Sequence, residues 1–188
     1  MAKRISFLRI LRATLTAAFR RWCIALEAPI RSLRLNVRKI DIFYDAKPSF
    51  IYGDKDIGKA LLKGHFQNSE HNLDVGAQGD PWTLAVPSEQ FARWLHSFYW
   101  LNDLAATKDK NANVRARNLV DKWIETYGKW NFFAWSPDIL SERVFNLLTV
   151  WSPLLDGDSL SKKAQIPRIS VVRQLKRLRT VYKQTSPG

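Results

Sequence analysis

Two residues of the chain combine proton chemistry with an aromatic surface. His96 and Trp100 lie four residues apart in a segment with the apolar spacing of a helix. Both are therefore expected to face the same side, away from Phe91, Leu95 and Phe98. Histidine is the commonest side chain for proton transfer near neutral pH, and an indole ring offers a flat apolar platform.

Two other patterns imitate known sites and are rejected on chemical grounds. Residues 53–59 have phosphate-loop spacing, but Ala60 replaces the Ser or Thr that would hold magnesium, and two acids in the loop would repel phosphate. His65, His71 and Asp74 carry metal-binding atoms, yet no helical register aligns them, so we expect solvated loop side chains. The single cysteine excludes an internal disulfide. The sequence predicts no cofactor, no metal and no catalytic residue.

Helices are the elements that must position these side chains. Residues 41–80, punctuated by glycine, predict a loop-rich connector with a short strand near 40–44 and one or two helical turns over 57–62. Downstream, apolar spacing and capping residues predict four helices, joined by short links that indicate antiparallel hairpins. The first is capped by Ser88 and runs to Ala105; the second ends at Gly128; the third runs from Pro137 to Trp151; the last covers 167–182, with Val171, Leu175, Leu178 and Tyr182 on one side.

Positive charge is concentrated at the two ends of the chain. The formal net charge is +13, of which residues 1–40 carry +9 and residues 162–183 carry +8. One hypothesis for the chain is therefore a non-enzymatic basic module that binds nucleic acid or an anionic membrane through its ends. Charge runs are also commonly solvated surfaces, and no nucleic-acid-binding motif is present.

The first segment, residues 5–22, has a basic amphipathic helical pattern. It fits three roles that the pattern does not separate: docking on the rest of the fold, lying on an anionic membrane surface, or targeting. No apolar run is long enough to span a bilayer, and arginines interrupt every candidate signal-peptide core. We therefore expect the chain to be cytoplasmic or peripheral to a membrane.

An ordered set of aromatic motifs resembles the N-terminal region of heparinase II/III-like proteins, a family of polysaccharide lyases. In that family a Pro-Trp segment precedes a helix with a His-aromatic pair, a second helix ends in Trp-Ile, and a Trp-x-Pro turn starts a helix with an early arginine. The resemblance covers residues 41–156. The matching stretches are Gly79-Asp80-Pro81-Trp82, Leu95-His96-Ser97-Phe98-Tyr99-Trp100-Leu101, Asp121-Lys122-Trp123-Ile124, Trp135-Ser136-Pro137-Asp138 and Ser141-Glu142-Arg143.

The resemblance implies a mostly all-α fold, an incomplete (α/α) toroid of antiparallel helix pairs. It also implies that the chain is a truncated N-terminal portion of such a lyase, inactive alone, because the family's proton-transfer residues for β-elimination of uronic-acid polysaccharides lie further on. The implied partners are an acidic polysaccharide and the missing C-terminal half as a separate chain. The expected organisation is a basic helical segment (1–40), the lyase-like helical region (41–156) and a basic tail (157–188).

The resemblance also selects the residues that would bind substrate. They are His96, Trp100, Trp135 and Arg143. The alternative is structural, because a histidine on a helix is more often a hydrogen-bonding core residue, and Arg143 could simply hold Glu142 or Asp138.

Overall fold

A computed structural model describes residues 52–150 and 162–185, with side-chain surroundings for 165–183 of the final helix. The described chain is mostly helical, as predicted. Residues 1–40, with their predicted amphipathic helix, lie outside it, as does the strand predicted near 40–44. In chain order the elements are α1 (Lys55–Leu62), β1 (His65–Gln67), β2 (Asn72–Asp74), α2 (Glu89–His96), α3 (Trp100–Thr107), α4 (Lys110–Tyr127), α5 (Pro137–Thr149) and α6 (Lys162–Thr185).

The predicted connector contains more regular structure than expected. The Asp54 carboxylate caps α1 by accepting from the backbone N–H groups of Asp56 and Ile57 at 2.7 and 3.2 Å. After α1, β1 and β2 form an antiparallel hairpin that pairs Phe66 with Leu73. The Phe66 side chain is fully buried, which anchors the hairpin on the core. Three-residue strands are too short to leave a readable alternation in the sequence, which is why the hairpin was missed.

The predicted single helix from Ser88 to Ala105 is in fact two helices. Its start is confirmed, since the Ser88 hydroxyl accepts from Phe91 N–H at 3.1 Å. The helix breaks at Phe98, whose φ of 61° is left-handed and incompatible with a continuing α-helix. This break turns the Phe98 ring into the core, 5.3 Å from both the Trp100 and Trp123 rings. Tertiary packing of one aromatic ring therefore overrides a helical sequence pattern.

The predicted end of the second helix at Gly128 and the predicted start of the third at Pro137 are confirmed. α4 begins after Asp109, whose carboxylate accepts from Asn111 N–H, and ends before Gly128. α5 begins at Pro137, where a missing N–H is harmless. The side of α4 that faces the core is built from small and large apolar residues: Ala112, Ala116, Leu119, Val120 and Trp123.

The last helix differs from the prediction in length and in orientation. α6 extends beyond the predicted 167–182 segment at both ends, and Pro167 lies inside the helix. Its buried residues are Ser170, Val171 and Gln174, whereas Leu175 and Tyr182, expected on the apolar side, are exposed. The helix is turned because the polar Gln174 binds a buried arginine, described below. None of the described helices is long and apolar enough to cross a membrane.

Candidate functional site

The break between α2 and α3 leaves three backbone carbonyls at the end of α2 outside the regular hydrogen-bond pattern of a helix. Carbonyls in the last turn of a helix have no intrahelical donor, so other groups must satisfy them. Here a side chain reaches each one. Leu95 O accepts from Trp100 Nε1 at 3.0 Å, His96 O from Arg143 Nη1 at 3.0 Å, and Ser97 O from Asn146 Nδ2 at 2.8 Å.

Arg143 is the most buried cation of the described residues, with no exposed side-chain surface. Besides its bond to His96 O, its Nε donates to Gln174 Oε1 at 2.8 Å, and its guanidinium carbon lies 4.2 Å from the centre of the Trp123 ring. Its Nη2 has no hydrogen-bond partner. Burial lowers the pKa of Arg143 to about 9, so the group is still charged at neutral pH.

No carboxylate of the described residues forms an ion pair with Arg143. The two candidates that the sequence offered are bound elsewhere. Glu142 accepts from the Ser97 hydroxyl at 2.7 Å, and Asp138 pairs with Arg93. The positive charge is instead stabilised by amide oxygens and by the face of the Trp123 ring.

His96 lies in the same cluster and is 7% exposed. Its Nδ1 accepts from Trp123 Nε1 at 3.0 Å, and the rings of Tyr127 and Phe133 meet it edge-on, with centroids 4.7 and 5.7 Å away. Burial, and secondarily the charge of Arg143, lowers the pKa of His96 from 6.5 to about 4. At neutral pH the imidazole is therefore uncharged, and its Nδ1 lone pair is occupied.

Trp100 and Trp135 are core residues with their polar atoms bound to the backbone. They are 0% and 2% exposed, and the indole N–H of Trp135 donates to Tyr127 O at 2.7 Å. Trp82 follows the same pattern, with its N–H on Leu119 O at 2.9 Å. Each indole packs its faces against other side chains and satisfies its single donor internally, which is the usual requirement for burying tryptophan.

The structure therefore brings the four predicted residues into one neighbourhood, but turns them inward. His96, Trp100 and Arg143 surround the α2–α3 break, and Trp135 joins them through Tyr127. None of the four presents a ring or a charged atom that a polymeric substrate could reach without the core opening. We define this set with Ser97, Asn102, Asn146 and Gln174 as the polar core.

The rejected patterns also have structural roles. Asp54 of the phosphate-loop-like segment is the cap of α1, and its N–H donates to the Asp103 carboxylate at 2.8 Å. His65 and Asp74 are paired across the hairpin, with His65 Nδ1 3.2 Å from the carboxylate. Within residues 52–150 and 162–185, no group of three or more His, Cys, Asp or Glu side chains is arranged to hold a metal ion.

Sequence reasoning missed three residues of the polar core: Asn102, Asn146 and Gln174. Asn102 Nδ2 donates to Asn146 Oδ1 at 2.8 Å, and Gln174 Nε2 to Ser170 Oγ at 3.2 Å. A signal was present, because Asn146 directly precedes Leu147 and lies three residues after Arg143, on the inward face of α5. A polar residue at an apolar position is informative, since it must find a buried partner.

Together these features describe a small helical unit with a closed polar core. Compared with known proteins, the chain matches no family model and no solved structure. It is similar to the FtsZ-localized protein C of Caulobacter vibrioides (strain NA1000 / CB15N), with 42% identity over 90 residues. The match spans 48% of this chain and only 16% of the Caulobacter protein.

These findings overturn the lyase interpretation. The relative found is named for its localisation with FtsZ, and no family model, of lyases or of any other family, matches. The prediction of a truncated heparinase II/III-like enzyme is therefore wrong, as is that of its acidic polysaccharide and separate C-terminal half as partners. The alternative, a nucleic-acid- or membrane-binding basic module, is set aside on the same finding.

The physical reason for the mistaken resemblance is visible in the core. The motif residues Trp82, His96, Trp123, Trp135 and Arg143 are all buried. Buried aromatic side chains and a buried arginine also fill packed helical cores, so their types and order do not by themselves identify a reaction.

Proposed function

We propose that this helical unit is a non-catalytic protein-interaction module that works with FtsZ or with proteins assembled on it. The observation that carries the proposal is the 42% identity over 90 residues to a protein named for its FtsZ localisation. Because the match spans 16% of that relative, the proposal concerns this unit and not the activity of the whole Caulobacter protein.

The closed polar core supports a non-catalytic role. We propose that His96, Trp100, Trp135 and Arg143 hold the helices together and do not touch a ligand. In support, Arg143 and Trp135 donate hydrogen bonds to the backbone carbonyls of His96 and Tyr127. The pKa of His96, lowered to about 4, makes its imidazole a weak base. The arrangement of the helices as part of an α/α toroid stays a prediction, because a ring needs further helices.

An exposed aromatic surface on α5 and the α2–α3 break is the part of the unit that we assign to the partner. Phe145 is 69% exposed and Tyr99 is 44% exposed. Burial, and secondarily the nearby Glu142 carboxylate, raises the pKa of Tyr99, so Tyr99 lies close to Glu142. Glu142 is one turn before Phe145 on α5, which places the three residues on one surface. Exposed aromatic residues are typical of the centre of protein interfaces. The same residues rest on the polar core through Ser97, so the core positions this surface.

The proposal is tested with FtsZ polymers. The purified chain is pelleted with FtsZ assembled with GTP, and a fluorescent fusion is imaged in dividing cells. We expect the chain in the pellet and at the division ring. Absence from both would contradict the proposal.

Matched variants locate the contact. Phe145→Ser is expected to weaken pelleting at least about tenfold, the effect of losing one aromatic anchor of about 1.4 kcal/mol or more. Leu84→Ser, on the loop before α2, removes an exposed apolar side chain elsewhere and should pellet as the wild type does. If both variants pellet equally and their unfolding midpoints are unchanged, the α5 surface is not the contact. Whether the chain associates with FtsZ is then decided by the wild-type result alone.

A further inference from the structure

A groove of about 600 Å³ runs along the outer side of α4, opposite the loop that follows β2. Its α4 wall is a stripe at helical spacing that includes Asn111, Arg115, Asn118 and Glu125. Gln78 and Asp80 belong to the opposite wall. The groove lies apart from the polar core and from the aromatic surface around Phe145.

Arg115 is the unusual residue of this groove. It is 9% exposed, yet its guanidinium makes a single long hydrogen bond, from Nη2 to Gly76 O at 3.5 Å, and its Nε has no partner. The nearby Asp80 carboxylate is taken by Lys122, whose Nζ lies 2.8 Å away. In the described part of the chain no acid forms an ion pair with Arg115. Unlike Arg143, Arg115 has only this one long hydrogen bond, and a carboxylate from a ligand would satisfy it.

The dimensions of the groove fit a short extended peptide. From Asn111 to Glu125 the axis of α4 rises about 21 Å, and six extended residues span about 20 Å. The side-chain amides of Gln78, Asn111 and Asn118 both donate and accept hydrogen bonds. They therefore match the alternating N–H and C=O groups of a peptide backbone, which a purely basic wall would not.

The charges of the groove select among anionic ligands. Acidic residues line it as well as basic ones, with Glu125 about 15 Å beyond Arg115 along the helix. A ligand with many phosphate or sulfate groups would be repelled at that end, whereas one carboxylate at Arg115 is favoured, and a cation is favoured near Glu125.

We propose that the α4 groove binds an extended segment of a partner protein that places one Asp or Glu side chain on Arg115 and a Lys or Arg side chain toward Glu125. The 15 Å separation corresponds to about four or five extended residues between the two charges. The partner segment is defined by this chemistry alone, so the proposal does not depend on the association with FtsZ.

The test uses the full 188-residue chain and a displayed library of random hexapeptides with Gly-Ser flanks. We expect selected peptides to share an acidic residue and, four or five positions away, a basic one. Arg115→Gln should lower the affinity of a selected peptide at least tenfold, and Glu125→Gln should remove the preference for the basic residue. Lys129→Gln, which removes an exposed cation beyond the groove, is the matched control and should bind as the wild type does.

Two results would overturn the proposal. One is a library selection without the acidic preference. The other is a selected peptide that binds Arg115→Gln as tightly as the wild type. Val114→Glu keeps the proposal testable if Arg115→Gln fails to fold. Val114 is 59% exposed in the groove, so a glutamate there is tolerated by the fold and places a competing carboxylate beside Arg115. That variant is also expected to bind at least tenfold more weakly, and wild-type binding by it would count against the groove.

Discussion

The indole N–H of Trp123 donates a hydrogen bond of 3.0 Å to Nδ1 of His96. This contact holds the imidazole in its neutral form, because a proton on Nδ1 would replace the lone pair that accepts the bond. The guanidinium of Arg143 lies over the same Trp123 ring, so a second positive charge on His96 would also be placed beside an existing one. The polar core is therefore more stable when His96 is uncharged.

Acid is expected to destabilise the fold through His96. The pKa is about 4 in the folded chain and 6.5 in a free histidine, so the unfolded state binds more protons between these values. The stabilisation is fully present above pH 6.5 and is lost as the pH falls toward 4, by about 3 kcal/mol in total. Urea unfolding at pH 7.5 and pH 4 measures the loss.

His96→Asn isolates this contribution. The asparagine oxygen can still accept from Trp123 N–H but does not titrate, so the variant should lose less stability than the wild type between the two pH values. The lowered pKa values of Asp80 and Asp138 also make the fold less stable in acid, but both residues are present in the wild type and in His96→Asn. His71→Asn replaces a histidine outside the polar core. It is the control for any effect of histidine replacement that does not depend on the polar core. Identical pH dependence in the wild type and His96→Asn would contradict the assignment.

Replacement of Arg143 by lysine should be strongly destabilising although it keeps the charge. Lysine cannot reach His96 O and Gln174 together, nor lie flat over the Trp123 ring. We expect a loss of about 3 kcal/mol in the free energy of unfolding, as for other broken buried charge networks. The urea midpoint measures it. Arg93→Lys, at an exposed ion pair with Glu89 and Asp138, is the control and should shift the midpoint little.

Gly58→Ala tests the packing of α1 on α3. A Cβ at residue 58 would lie 2.2 Å from the backbone oxygen of Asp103, closer than any real contact. The two helices would have to separate, and we expect a loss of about 3 kcal/mol. At an exposed helical site the same substitution would stabilise by up to about 1 kcal/mol, so the sign itself is diagnostic. Thermal unfolding measures it, with Lys59→Ala, one residue further along α1, as a nearly neutral control.

Lys108→Gly should stabilise the fold. Lys108 ends α3 with a φ of 55°, a left-handed conformation that glycine adopts without strain. Its side chain is exposed, so the substitution removes backbone strain and little else. We expect a gain of about 1 kcal/mol, seen as a higher thermal midpoint. Lys110→Gly, in the first turn of α4, should instead lower the midpoint, and a drop with both variants would contradict the role of the left-handed cap.

Local signals predicted the parts of the fold that local physics controls. The starts at Ser88 and Pro137 and the stop at Gly128 follow from capping, which depends on neighbours within one turn, so the sequence alone located them. The hairpin was not predicted, because its pairing depends on contacts across a turn that leaves little periodicity.

The family resemblance selected four residues that the structure does bring together, but their role depends on contacts distant in the chain. Arg143 reaches His96 O across 47 residues and Gln174 across 31. No local sequence pattern indicates whether the side chain of Arg143 faces solvent or binds a buried carbonyl.

By itself, the sequence determined that the described chain is mostly helical, and it located the helix starts at Ser88 and Pro137 and the helix stop at Gly128. Tertiary structure alone decided that the Phe98 ring interrupts a helix, that α6 turns Gln174 inward, and that Arg115 lies in a groove without an ion pair. The reason is physical: a cap or an apolar stripe is satisfied within its own helix, whereas a buried polar group or a strained residue is stabilised only by partners that the folded chain brings to it.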